Sequence, residues 1–141
     1  MKEKKYVKLL AKAKEAAGNS YNKYSKFAVG SAVLCANGKI YAGTNVENAS
    51  YGLTSCAERN ALFNAVSNGE TKIKAVAVWT KRGGVFPCGA CRQVILELSQ
   101  NADIIINKND KDIIIVNIQE LLPFSFSEID LGLAAGKLKR Q

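Results

Sequence analysis

Apolar residues at Tyr6, Leu9, Leu10, Ala13 and Ala17 recur with the i, i+3, i+4, i+7 spacing of one helix face, and lysines stand between them. The pattern predicts an amphipathic helix that ends at Gly18. The period then changes. Val29 to Cys35 and Ile40 to Asn45 read as strands, joined through Asn37-Gly38. Asn-Gly tolerates the positive φ angles of a tight two-residue turn, so a hairpin is predicted. After a loop over Val46 to Thr54, the run Cys56 to Ser67 is helical in pattern, with Thr54 or Ser55 able to cap its first turn and Asn68-Gly69 closing it.

Ile73 to Trp79 is apolar apart from Lys74 and reads as a strand, and a glycine-containing loop from Lys81 to Pro87 leads to a helix from Gly89 to Leu98. Two isoleucine-rich strands, Asp103 to Asn107 and Asp112 to Val116, flank the polar turn Lys108 to Lys111. Asn117 and Glu120 have the spacing of a capping box ahead of a short helical turn that stops at Pro123. Strands joined through helices run parallel, and uniformly apolar strands are covered on both faces. The expected fold class is therefore α/β: a mixed five-stranded sheet between helices, a three-layer α/β/α arrangement. The 141 residues suit one domain, residues 1–141, and show no repeat or linker.

Composition narrows the function classes. The longest apolar runs, Ile104 to Ile106 and Ile113 to Val116, are too short to span a bilayer, and no apolar core follows the basic N-terminus as it would in a signal peptide. A cytoplasmic address and no membrane partner are expected. The net charge of +8 favours anionic partners. Many of its lysines, however, lie on a helix face (Lys2, Lys4, Lys5, Lys8, Lys12, Lys14) and, beside Arg140, in a tail (Lys137, Lys139), not in a groove interleaved with aromatics. A solvated surface is the plainer reading, and no nucleic-acid partner is expected.

The four cysteines, Cys35, Cys56, Cys88 and Cys91, are expected to be reduced in that compartment, where metal binding or catalysis explains a cluster better than disulfides do. Histidine is absent, which leaves thiolates and carboxylates as candidate ligands. Thr54-Ser55-Cys56-Ala57-Glu58-Arg59 contains a Cys-x-Glu, and Pro87-Cys88-Gly89-Ala90-Cys91-Arg92 contains a Pro-Cys-x-x-Cys that opens a helix. Either run alone is weak, since redox pairs and structural zinc sites share Cys-x-x-Cys. Their combination about thirty residues apart is specific.

Cys88 and Cys91 project to one side of a first helical turn, and the helix start at Cys56 favours a thiolate. Three convergent thiolates repel without a cation between them. Zinc is the natural occupant, and three protein ligands leave its fourth position open to water, as in catalytic sites. Glu58, two residues beyond a ligand, can move a proton near the metal without binding it. Arg59 is expected to offset the excess negative charge by donating hydrogen bonds to ligand sulfurs. A structural site would need Cys35 as its fourth sulfur. That residue reads as a small core side chain on an apolar strand, and neither a structural site nor a redox pair explains Glu58.

With these runs the chain resembles the small cytidine deaminases of pyrimidine salvage. The general zinc deaminase signature has His-x-Glu before Pro-Cys-x-x-Cys, whereas Cys56 stands at the His position here. The all-cysteine version is similar to the short homotetrameric nucleoside enzymes; superfamily members acting on deoxycytidylate, guanine or tRNA adenosine generally carry His. The resemblance extends over Tyr24-Ser25-Lys26-Phe27-Ala28-Val29-Gly30, Asn45-Val46-Glu47-Asn48-Ala49-Ser50-Tyr51, Leu121-Leu122-Pro123, Phe126 and Asp130-Leu131.

It implies hydrolytic deamination of cytidine and deoxycytidine by zinc-activated water, with Zn2+ on Cys56, Cys88 and Cys91 and Glu58 as proton shuttle. Asn45 and Glu47 are expected at a ribose hydroxyl, and Phe27 against the base or sugar. Backbone groups around Ala57 and Cys88 are expected at the base edge. Tyr51 and Phe126 are expected to enter the site from neighbouring subunits of a homotetramer. The alternative is a sister zinc deaminase acting on another cytosine-containing small molecule, of the blasticidin S type.

Overall fold

The computed structural model describes residues 2–132, so the basic tail at Lys137, Lys139 and Arg140 lies outside the described residues. Helix α1 (Lys2–Ala17) buries Tyr6, Leu9, Ala13 and Ala17, the stripe expected from the sequence. It is followed by β1 (Val29–Cys35), β2 (Ile40–Thr44), α2 (Ala57–Ser67), β3 (Ile73–Thr80), α3 (Gly89–Leu98), β4 (Asp103–Asn107), β5 (Ile113–Asn117) and the short α4 (Ile118–Leu121). The capping box forms at α4: Asn117 Oδ1 accepts from Gln119 N at 3.1 Å, and Glu120 Oε1 accepts from Asn117 N at 2.9 Å. Among the described residues, no helix is long and apolar enough to cross a membrane.

The mixed sheet has the order β2-β1-β3-β4-β5, with β3 and β4 parallel and the other neighbours antiparallel. Because β1 opposes both β2 and β3, those two strands run the same way although they do not touch. The C-terminal ends of β2, β3 and β4 therefore share one edge of the sheet. In open α/β sheets, ligands sit at that edge.

Side chains alternate between the faces of the sheet. Ala32, Ala75, Ala77 and Ile105 pack under α1. Val33, Cys35, Val76, Val78, Ile104 and Ile106 pack under α2, α3 and α4 with Ala61, Leu62, Ile95 and Ile118. Cys35 thus sits among core side chains, and its burial pushes the thiol pKa up.

Two glycines let the helices approach closely. A Cβ on Gly30 would stand 1.8 Å from the Ala13 carbonyl oxygen, and one on Gly43 would stand 2.3 Å from Ala61 N. Gly43 matters more for the site, since it seats α2 against β2. Gly43→Ala is expected to push α2 outward and cost about 1–3 kcal/mol or more, as overpacking does. Urea unfolding checks this, with a wild-type midpoint as the contrary result.

Local expectations need three corrections. The hairpin turn has three residues, Ala36 to Gly38: Gly38 N donates to Cys35 O at 3.0 Å and Cys35 N donates to Lys39 O at 2.9 Å. Only Gly38 takes a positive φ, of 89°, which is the type I turn with a left-handed third residue. The N-cap of α2 is Cys56, not Thr54 or Ser55, and its side chain makes no capping bond. Ser55 Oγ donates instead to Asn60 Oδ1 at 2.7 Å, while Thr54 Oγ1 accepts from Asn48 N at 3.2 Å. Finally, β2 ends at Thr44, β3 continues to Thr80, and β5 runs from Ile113 to Asn117 because Asp112 is held in the turn by Asn109.

Candidate metal centre

Both helix starts that carry cysteines lie at the shared strand edge. Cys56 precedes α2 with extended backbone (φ −72, ψ 153), and Cys88 precedes α3 likewise (φ −67, ψ 168). Cys91 sits in the first turn of α3 and is buried, Cys56 is half-buried and Cys88 is exposed. The three sulfurs all lie within 4.8 Å of one another, and Cys56 Sγ and Cys88 Sγ are 3.9 Å apart. Zinc–sulfur bonds of about 2.3 Å in a tetrahedron set sulfurs about 3.8 Å apart, so the donor set fits that ion. Among the described residues, Cys35 is not part of the group.

The protonation pattern points the same way. The Cys56 thiol is lowered to about 5, first by a hydrogen bond from Cys91 and then by Arg59 and Cys88. Cys91 is pushed up, first by the Cys56 thiolate, then by burial and the Glu58 charge. Without a cation, then, ionising one sulfur opposes ionising the next, and a divalent ion between them removes that conflict.

Glu58, in the first turn of α2, is only 5% exposed. Its Oε2 accepts from Cys91 Sγ at 3.5 Å. Burial first, and the Cys56 charge after it, raise its pKa. Arg59 Nη2 donates to Cys56 Sγ at 3.3 Å, while its buried Nε has no partner among the described residues. Arg59→Gln removes a cation and a donor from the sulfurs, and zinc affinity or turnover is expected to fall about 10–100-fold. Metal titration and steady-state rates check this; wild-type values of both would exclude the role.

Beside the sulfurs, the segment from Asn45 to Glu47 is paired on both sides. Val46 and Ser55 exchange backbone hydrogen bonds, each 2.9 Å, which ties this segment to the residue before Cys56. Tyr21 N donates to Asn45 O at 3.1 Å and Glu47 N donates to Tyr21 O at 2.8 Å. The Asn45 side chain is 8% exposed and largely committed within the chain. Its Oδ1 accepts from Val29 N at 2.9 Å and from Ser20 Oγ, and its Nδ2 donates to Phe27 O at 2.8 Å. In this conformation Asn45 fixes the backbone around Phe27.

Glu47 Oε1 accepts from Tyr24 N at 2.9 Å and Ser25 N at 3.0 Å; the Ser25 hydroxyl first, and these two amides after it, lower its pKa. Glu47, Tyr24, Ser25, Asn48, Tyr51 and Thr54 line a cleft of about 370 Å³. None of the three sulfurs lines this cleft, and neither does Asn45. Tyr51 is 77% exposed and Phe126 59% exposed. Ala57 is buried at the start of α2.

Several side chains near the centre carry contacts that the sequence did not reveal. Asn60 Nδ2 donates to Thr44 O at 2.7 Å, so α2 grips the end of β2. Arg92 and Gln93, directly after Cys91, donate to Pro87 O, Leu121 O and Phe126 O. The repetition of an arginine after each motif, Arg59 and Arg92, was the one available signal, and the two do different things.

Comparison with known proteins adds an independent line. The family model described as "Cytidine and deoxycytidylate deaminase zinc-binding region" matches residues 3–108. A cytidine deaminase of Sporosarcina psychrophila is 48% identical over 130 residues, covering 91% of this chain and 96% of the relative. One from Halalkalibacterium halodurans is 45% identical over 127 residues, covering 88% and 96%. The crystal structure of cytidine deaminase from Burkholderia pseudomallei superposes with a TM-score of 0.81 at 41% identity, covering 85% of this chain and 98% of that one.

Proposed function

The chain belongs to the cytidine and deoxycytidylate deaminase family, and on that footing we propose that it hydrolyses cytidine and deoxycytidine to uridine and deoxyuridine with release of ammonia, in pyrimidine salvage. It is a zinc-dependent hydrolase. The observation that carries the reading is a buried carboxylate, Glu58, next to three convergent sulfurs. A structural zinc site has no use for that carboxylate; a hydrolase does. The relatives named for cytidine favour this reading over the blasticidin-type alternative.

Cys56, Cys88 and Cys91 would hold the ion, which when bound supplies a Lewis acid that makes water a nucleophile near neutral pH. The raised proton affinity of Glu58 suits a carboxylate that must pick up and release a proton in each turnover. Glu58 takes a proton from the attacking water and places it on N3, which draws electron density from C4. The water oxygen bonds to C4, which becomes tetrahedral. Glu58 then moves the remaining hydroxyl proton to the amino nitrogen. The C4–N bond breaks with its electron pair on nitrogen, ammonia leaves, and a C4 carbonyl remains. Backbone groups around Ala57 and Cys88 are suited to the base edge, since they lie at helix starts where the N-cap side chain makes no capping bond.

For the sugar, Asn45 retains one N–H and Glu47 one carboxylate oxygen without a partner among the described residues. A glutamate at this place disfavours a phosphate and so favours nucleosides over nucleotides. Phe27 is assigned to the base or sugar. Tyr51 and Phe126 are assigned to a neighbouring subunit's site in a homotetramer. The exposure of Tyr51, Leu53, Phe124, Phe126 and Ile129 supports such contacts. Residues 1–141 then act as one catalytic domain, in the cytoplasm. Initial rates on cytidine, deoxycytidylate, blasticidin S and single-stranded DNA, measured with zinc content and sedimentation, test the whole proposal. Cytidine turnover by a zinc-loaded tetramer is expected. Absence of cytidine turnover removes the activity, and a monomer removes the shared site.

A further inference from the structure

The chain holds its most exposed candidate ligand, Cys88, by the peptide in front of it. Cys88 caps α3 without a capping bond from its side chain, so the direction of that side chain is set from the plane of the Pro87–Cys88 peptide. Arg92, one turn on in α3, donates from Nε to the carbonyl oxygen of Pro87 at 2.7 Å. The same guanidinium donates from Nη1 to Leu121 O at 2.9 Å, at the end of α4. Its neighbour Gln93 donates from Nε2 to Phe126 O at 2.9 Å, five residues beyond Leu121. A guanidinium is planar, with its donors in a fixed fork, so holding two carbonyls at once fixes their separation.

We propose that Arg92 is a positioning residue of the metal centre, which locks the Pro87–Cys88 peptide to the C-terminal segment so that the Cys88 sulfur and the stretch leading to Phe126 are placed by one group. This rests on the proposed function in one respect, that the sulfurs and Phe126 serve the same reaction. Neither a lysine nor a glutamine reproduces the fork. Lysine keeps a charged donor and can hold one carbonyl; glutamine keeps only a neutral donor on a shorter chain.

The test uses full-length, zinc-loaded Arg92→Lys and Arg92→Gln. It reads the rate of zinc transfer to a coloured chelator, KM and kcat for cytidine, and the thermal midpoint of the zinc-free protein. Charged hydrogen bonds of this kind carry enough free energy for zinc release to accelerate at least about tenfold in Arg92→Gln. KM is expected to rise with it, and Arg92→Lys to lie between Gln and wild type on both readouts. Wild-type zinc release in either variant overturns the assignment. So does a loss that tracks the zinc-free thermal midpoint with no recovery in Arg92→Lys, which marks a merely structural contact. Should Arg92→Gln fail to fold, Arg92→Lys alone decides between these results. A wild type that binds zinc but leaves cytidine untouched removes the deaminase reading instead, and the zinc-release comparison still judges Arg92.

Discussion

Glu58→Gln is expected to fold, to keep its zinc, and to lose about two to four orders of magnitude in kcat, the range that general acid–base groups supply. The amide has nearly the volume of the carboxyl and can occupy the same buried place in the first turn of α2. With zinc held, Cys91 is a thiolate, and the glutamine amide can donate to that sulfur where the carboxylate oxygen now lies 3.5 Å from it. What disappears is the ability to accept a proton from water and deliver it to N3 and then to the amine. Since the sulfurs are untouched, metal content separates this outcome from collapse of the centre. Near-normal turnover by a zinc-loaded Glu58→Gln protein would remove Glu58 from the chemistry.

The second large effect is expected at Cys91. Cys91→Ser replaces a fully buried sulfur with a weaker donor at the floor of the cluster, and both bound zinc and deamination are expected to be lost. A ligand that binds only the folded state stabilises it by about 4 kcal/mol when present at a thousand times its Kd. A chelator should therefore lower the thermal midpoint of the wild type and leave that of Cys91→Ser unmoved. Metal analysis and melting curves with and without chelator make the comparison. Equimolar zinc in the variant would mean that the sulfurs do not act together.

The sequence makes the helices and strands legible wherever one period dominates: α1 from its stripe, and β3 and β4 from uninterrupted apolar runs. It is ambiguous where one residue serves two geometries. Asn37-Gly38 suits a two-residue turn and equally the end of a three-residue one, because both need a left-handed glycine. The caps at Cys56 and Cys88 were hidden because cysteine is not a capping residue, and the nearby Thr54 and Ser55 were better candidates on chemistry alone. Asn107 illustrates a third kind of blindness. Its amide donates to Thr80 O at 2.7 Å and accepts from Thr80 N at 3.1 Å, standing in for a peptide beyond the last rung between Val78 and Ile106. Nothing local to Asn107 names Thr80 as its partner. For the site, the two cysteine motifs and Glu58 could be read directly, while the commitments of Asn45 and Arg92 arise only from tertiary neighbours.

Both cysteine caps leave their helices without the side-chain oxygen that normally closes a helix start. A serine or aspartate in such a place typically adds about 1 kcal/mol to stability. Selection for a sturdier metal-free chain would push positions 56 and 88 toward those residues, and each step in that direction would abolish a sulfur. Robustness and reactivity are opposed at these two positions, so thermal hardening of this protein has to come from elsewhere, on the solvent face of α1 or along the outer edge of β5.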